Sequence, residues 1–283
     1  MMEDVQKIIM EKLPEYSKNQ RILANFILEN IETVPLLSVS DLGKKAGVSS
    51  ATVVRFSRVL GFNGYLDFRS HLMNLLKDKL SPVAKFRATL SKKEEYHDSL
   101  HKIAHQVVQN LDLSLQHNSL EDFKHIVTHL QEAKNIYTIG LGISKFLAEI
   151  MAYQLKLYFK NAFAMGADAL SFTEQIILLT PDDLLIAFSF PPYSRQTVEA
   201  AELAHKMKIP VVSFTDKKTS PIAQYSLHML IAKTDNILFS NSLGAISMLI
   251  NALVTEIALT EDSKMLAGLQ KIEEFINDPR YFY

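Results

Sequence analysis

Four short apolar runs, at 135–139, 183–188, 210–214 and 228–232, each lead into a turn signal and then into residues with helical apolar spacing. A weaker run at 161–164 fits between the first two. Strands joined through helices run parallel, because each crossover returns the chain to the same end of the sheet, and a parallel sheet must be covered on both faces. The expectation is a doubly wound α/β domain of about five strands with helices on both faces. Its ligands would sit beyond the carboxyl ends of the strands.

Nothing before residue 135 carries that alternation. A helix is expected near 4–12 and another from Ser17, where Ser17 and Gln20 form a capping box and Ile22, Leu23, Phe26, Ile27 and Ile31 make an apolar stripe. A further helix near 65–76 completes an all-α domain. The basic segment 77–93, with Pro82, reads as a linker, and helical spacing resumes over 94–131. The 283 residues thus divide into an all-α domain at 1–77, a linker and helical connector at 78–123, an α/β domain at 124–265 and a tail at 266–283.

Between these helices, residues 38–68 spell two short helices around a tight turn. Ser38 with Asp41 resembles a capping box and opens a helix that Gly47 ends; Val48 plugs the turn, and Ser49 caps a second helix running to about Leu60 before Gly61. Leu42, Gly43, Ala46, Val48, Val53 and Phe56 are spaced to face inward. This leaves Ser49, Ser50, Ala51, Thr52, Arg55 and Arg58 outside, with Lys44 and Lys45 at the end of the first helix. Hydroxyls at a helix start and arginines one turn apart suit phosphate oxygens and major-groove base edges, as in a DNA-reading helix-turn-helix. The net charge of −1 is unevenly spread: residues 41–87 hold nine Lys/Arg against three Asp/Glu, and residues 88–283 hold 17 against 22. A basic module is attached to a mildly acidic body.

Two loops of the α/β region carry candidate ligand chemistry. Gly140 and Gly142 permit a tight turn after the first strand and place Ser144 at a helix N-terminus, whose N–H groups attract an anion. Lys145 stands where the third glycine of a dinucleotide fingerprint would be, and Asp168 lies beyond the usual acidic position, so no nucleotide cofactor is expected. After the third strand, Ser189, Ser194, Arg195 and Thr197 surround the start of the next helix. They suit a phosphate ester, or serve only as turn caps.

These motifs together resemble the RpiR/MurR family of bacterial transcription regulators, a helix-turn-helix joined to a sugar isomerase (SIS) domain. The family pattern VS-x-x-TV-x-RF-x-x-x-LGF is matched by Val48, Ser49, Thr52, Val53, Arg55, Phe56, Leu60, Gly61 and Phe62, and its G-x-G-x-S loop by Gly140, Gly142 and Ser144. Thr215-Asp216 and Ser220-Pro221 also match. The usual S-x-S-G-x-T loop is replaced by a longer Pro-Pro-Tyr-Ser version without its glycine; Ser189 and Thr197 carry over as loop ends, with Ser194 in the place of the middle serine. The resemblance implies double-stranded operator DNA as partner and a phosphorylated sugar or sugar acid as effector, bound by Gly142, Ser144, Ser189, Ser194 and Thr197.

The remaining features narrow the alternatives. No cysteine is present, which excludes thiolate metal sites and fits a cytoplasmic location. The acidic N-terminus lacks a signal-peptide core, and the apolar run 242–259 is interrupted by Asn251 and Glu256 and falls short of a membrane span, so it reads as a buried helix. His97, His101 and His105, like His125 and His129, recur at helical spacing; without cysteine or H-E-x-x-H they read as a solvated or interface face and no metal is expected. Glu149, Glu199 and Glu256 offer an isomerase base in principle, but no spacing singles one out. A non-enzymatic regulator is therefore expected, acting as a homodimer or homotetramer with the 242–259 helix and the helix around 103–115 as contacts. The alternative is a phosphosugar isomerase with an accessory basic head.

Overall fold

The computed structural model describes residues 2–91, 98–156, 159, 161–260, 269–270, 273 and 276–277. The chain divides into two compact units, Met1–Lys93 and Glu94–Tyr283.

The first unit is all helical: α1 (Met2–Glu11), α2 (Lys18–Glu29), α3 (Val39–Ala46), α4 (Ser50–Val59), α5 (Tyr65–Leu80) and α6 (Pro82–Ser91). One core holds it together, with Ile9, Leu23, Ile27, Leu42, Val53, Phe56, Phe68 and Leu72 all buried. The Ser17 N–H donates to Gln20 Oε1 at 2.9 Å, as the expected capping box requires. Ile22 departs from the expected stripe and is 41% exposed. The stretch 77–91 is not an extended linker: α5 runs on to Leu80 and α6 begins at Pro82 itself. Proline suits the first turn of a helix, where its missing N–H would have no partner anyway.

The second unit opens with α7 (Ser99–His117) and α8 (Leu120–Glu132) and then alternates β1 (Ile136–Ile139), α9 (Ile143–Lys156), β2 (Ala162–Ala164), α10 (Phe172–Ile176), β3 (Leu184–Phe188), α11 (Arg195–Lys206), β4 (Val211–Thr215), β5 (His228–Ile231) and α12 (Gly244–Thr260). The sheet order is β2-β1-β3-β4-β5 and every pairing is parallel. All five strands fall where the apolar runs place them. β3 and β4 are buried at every position, and in β3 the physical cause is plain: its residues alternate between two separate cores. Leu184, Ile186 and Phe188 join α8, α9 and α12 on one face, while Leu185 and Ala187 join α10 and α11 on the other. The apolar side of α12, including Ile246, Leu249, Leu253 and Ile257, is buried in this core, as expected of a buried helix.

β5 lies at the sheet edge, and α7 satisfies its outer side with side chains. Asn118 Nδ2 donates to the Ile231 carbonyl and Asn118 Oδ1 accepts from the Ile231 N–H, each at 2.8 Å. One turn back, Ser114 Oγ accepts from the Lys233 N–H at 2.8 Å, and a further turn back Asn110 Nδ2 donates to the Asp235 carbonyl at 2.8 Å. Asn110 and Ser114 are fully buried. This ladder does what a sixth strand would do for the unpaired edge.

Candidate functional site

In the first unit, α3 and α4 form the expected hairpin. Ser38 Oγ accepts from the Asp41 N–H at 3.1 Å, and its hydroxyl donates to the Asp41 carboxylate. Aspartate is one methylene shorter than glutamate and meets the hydroxyl instead of reaching back to the Ser38 N–H. Gly47 leaves α3 at φ +69°, and a Cβ on Gly43 would stand 2.8 Å from the Val48 carbonyl oxygen, so the helices cross where only glycine fits. Ser49 caps α4 by accepting from the Thr52 N–H at 3.2 Å.

Lys44, Lys45, Ser49, Ser50, Ala51, Arg55 and Arg58 are exposed along this hairpin. Thr52 is a correction: it is buried, and its hydroxyl lies 2.9 Å from Ser49 Oγ. Three residues past the cap, the threonine turns back over the first turn of α4 and its polar atom is consumed inside the hairpin.

The loops at the carboxyl end of the sheet make the second candidate. The chain leaves β1 through Gly140, where a Cβ would lie 2.4 Å from the Ser144 carbonyl oxygen, and through Gly142 at φ +60°. No other residue lets the first turn of α9 fold back so closely on the strand. Ser144, the second residue of α9, is buried. Lys145 Nζ lies 3.8 Å from Asp168 Oδ2 in a surface ion pair.

Ser189 directly follows β3 and is 2% exposed, and Thr197 in the first turn of α11 is fully buried. Neither hydroxyl has a hydrogen-bond partner, and the same holds for buried Ser220 in the loop after β4. Among the described residues only five buried side-chain polar atoms lack a partner, so three of them falling in the loops and helix start at one end of the sheet is a property of that end. Such groups cost about 1–3 kcal/mol each unless something satisfies them. Ser194 differs: it caps α11 by accepting from the Thr197 N–H at 3.3 Å. Arg195 is 89% exposed and pairs with Glu199 at 2.7 Å.

Three loops are laced together here. Tyr193 Oη donates to Asp216 Oδ1 at 2.7 Å, Lys233 Nζ donates to the Asp216 carbonyl at 3.0 Å, and Asn241 Nδ2 donates to the Pro191 carbonyl at 2.8 Å. Burial pushes the Asp216 carboxyl above its ordinary pKa, against the Tyr193 hydrogen bond and the Lys217 and Lys233 charges that lower it. Ser220 was readable from Ser220-Pro221 after a strand. Tyr193, Lys233 and Asn241 carry no such signal, because their partners are far along the chain. Glu149 and Glu199 are exposed, while Glu256 is half-buried on α12.

Residues 3–79 match the helix-turn-helix domain of the rpiR family, and residues 129–256 match the SIS domain. An uncharacterized HTH-type transcriptional regulator of Thermotoga maritima is 28% identical over 232 residues, covering 82% of each chain. The NanR protein of Vibrio vulnificus, solved complexed with ManNAc-6P, is 26% identical and covers 96% of this chain and 97% of its own, with a TM-score of 0.64. The sugar isomerase domain of an RpiR transcription factor from Sphaerobacter thermophilus is also 26% identical, covering 61% of this chain and 97% of its own, with a TM-score of 0.58. No helix among the described residues is long and apolar enough to cross a membrane. The chain belongs to the RpiR family of helix-turn-helix transcriptional regulators, with a SIS domain as its second unit.

Proposed function

We propose that the exposed face of α3 and α4 binds operator DNA and that the carboxyl end of the sheet binds a phosphorylated sugar or sugar acid that controls this binding, in genes of carbohydrate metabolism. The observation that carries the effector reading is the set of buried, unpartnered hydroxyls of Ser189, Thr197 and Ser220. A phosphate supplies acceptor oxygens for these hydroxyls and for the N–H groups that begin α9 and α11, where the helix dipoles favour an anion. Gly142 and Ser144 contribute the turn at α9, and Ser194 holds the start of α11. The likeness to a regulator solved with a sugar phosphate supports the same ligand class.

In the DNA reading, Arg55 and Arg58 meet base edges, while Lys44, Lys45, Ser49 and Ser50 meet phosphates and Ala51 allows close approach. One short helix reads few bases, so two heads about 34 Å apart on an inverted repeat are expected, in a homodimer or homotetramer. Exposed Ile143, Phe146, Ile150 and Tyr153 along α9 support association between copies.

The test combines two assays on the purified chain. A panel of sugar phosphates and sugar acids is screened by thermal shift, where a ligand at about 100 times its dissociation constant stabilises by about 2.7 kcal/mol. The active compound is then added to DNA from upstream of the protein's own gene and the retardation re-measured. Stabilisation by one compound with a changed DNA affinity is the expected result. Turnover of hexose or pentose phosphates with no DNA retained would instead establish the isomerase alternative.

A further inference from the structure

A second cluster lies at the opposite, amino end of the sheet, where α8 passes the first residue of β5. Asp122, His125 and His228 each offer one ligand atom, and these atoms lie within 4.8 Å of one another. His129, one turn beyond His125, brings its ring centroid to 5.3 Å from that of His228, and the His125 ring centroid is 5.7 Å away. The spacing of Asp122, His125 and His129 at three and four residues puts all three on one stripe of α8. The strand then supplies His228 from over 100 positions away in the chain.

We propose that Asp122, His125 and His228 form a binding site for a divalent transition-metal ion of the zinc type. Imidazole nitrogens with one carboxylate are a ligand set that zinc accepts, and three protein ligands leave a coordination position for water or a further side chain. Ligand atoms about 2.1 Å from a tetrahedral ion stand roughly 3.4 Å apart, so the cluster must tighten by about an ångström. Asp122 and His125 are exposed, and small rotations of their side chains supply this while the half-buried His228 stays fixed.

One feature prepares the ligands. Ser119 Oγ donates to Asp122 Oδ2 at 2.8 Å, orienting the carboxylate and leaving its other oxygen available. His101, by contrast, is held 2.8 Å from Asp98 at the start of α7 and belongs to a helix cap. His97, expected to continue that spacing, lies outside the described residues.

The test uses untagged, full-length protein freed of metal by chelator and titrated with Zn²⁺ calorimetrically and with Co²⁺ by visible absorption. One ion bound per chain is expected, with cobalt bands of low-symmetry nitrogen and oxygen coordination. His125→Ala and His228→Gln should each weaken uptake by about tenfold or more, and Asp122→Asn should weaken it too. His101→Ala should change nothing. His125 is exposed, so its variant keeps the fold even if the His228 variant does not. Absence of stoichiometric uptake, uptake unaltered by His125→Ala, or loss on His101→Ala would each overturn the proposal.

Discussion

The hairpin of the first unit and the loop end of the sheet in the second both carry serines and threonines at helix starts, yet they use them in opposite ways. In the hairpin, Ser38, Ser49 and Thr52 spend their hydroxyls on Asp41, on the Thr52 N–H and on each other. At the sheet end, Ser171 and Ser194 behave like this, but Ser189, Thr197 and Ser220 are buried with their hydroxyls unmatched. The first region is internally complete and presents charge outward from a rigid frame. The second is internally incomplete, which is what the proposed effector would complete. In that reading the same residue types serve structure in one place and recognition in the other, and only the hydrogen-bond inventory separates them.

The largest effect should come from the outward charge. Arg55→Ala with Arg58→Ala is expected to lower operator affinity by about 2–6 kcal/mol, at roughly 1–3 kcal/mol for each base contact, while the melting curve stays in place. Retention of DNA binding in a gel-shift titration would break the claim that the rigid frame exists to present these residues. Next, Gly140→Ala should cost about 3 kcal/mol or more in urea unfolding, since its Cβ would collide with the Ser144 carbonyl at 2.4 Å.

The hydroxyl contrast itself is tested by paired truncations. Ser189→Ala is expected to leave unliganded stability unchanged or slightly raised, because an unmatched hydroxyl is removed, and to weaken sugar-phosphate binding by about 1–3 kcal/mol. Ser49→Ala should do the reverse on stability and cost about 1 kcal/mol through loss of the α4 cap. If both variants melted alike, the distinction between the two regions would fail. The smallest effect concerns Asp216. Its folded pKa is raised, so the folded state binds more protons than the unfolded one as pH climbs past the ordinary carboxylate value of about 3.9. Stability contributed at low pH is lost as pH rises through the folded pKa, and Asp216→Asn should flatten that part of the profile.

How much of this was readable from the chain follows from how local each cause is. β3 and β4 declare themselves because strands buried on both faces are largely apolar, β1, β2 and β5 because shorter apolar runs recur between helical segments, and the hairpin because its caps, turn glycine and inward residues all lie within 31 positions. α6 hid behind Pro82, which breaks a helix in its interior but starts one here. Thr52 was misplaced because helical spacing alone ignores what the cap beside it can bond. The run 242–259 forms the buried helix its apolarity implies, whereas apolarity alone does not say which partner buries it. At the carboxyl end of the sheet, Ser189 and Thr197 were legible as loop ends, whereas the Tyr193–Asp216 and Lys233–Asp216 ties depend on which strands become neighbours.

The polar ladder of α7 restricts how that helix can ever move. Asn110, Ser114 and Asn118 stand one turn apart and each serves a different backbone group of the segment that leaves β5. A slide of one residue would swing all three by about 100° and leave buried N–H and carbonyl groups without partners, while a slide of four would bring the helix back into phase about 6 Å away. α7 is thus a toothed rod rather than a greased one, and its positions against the sheet edge come in whole turns.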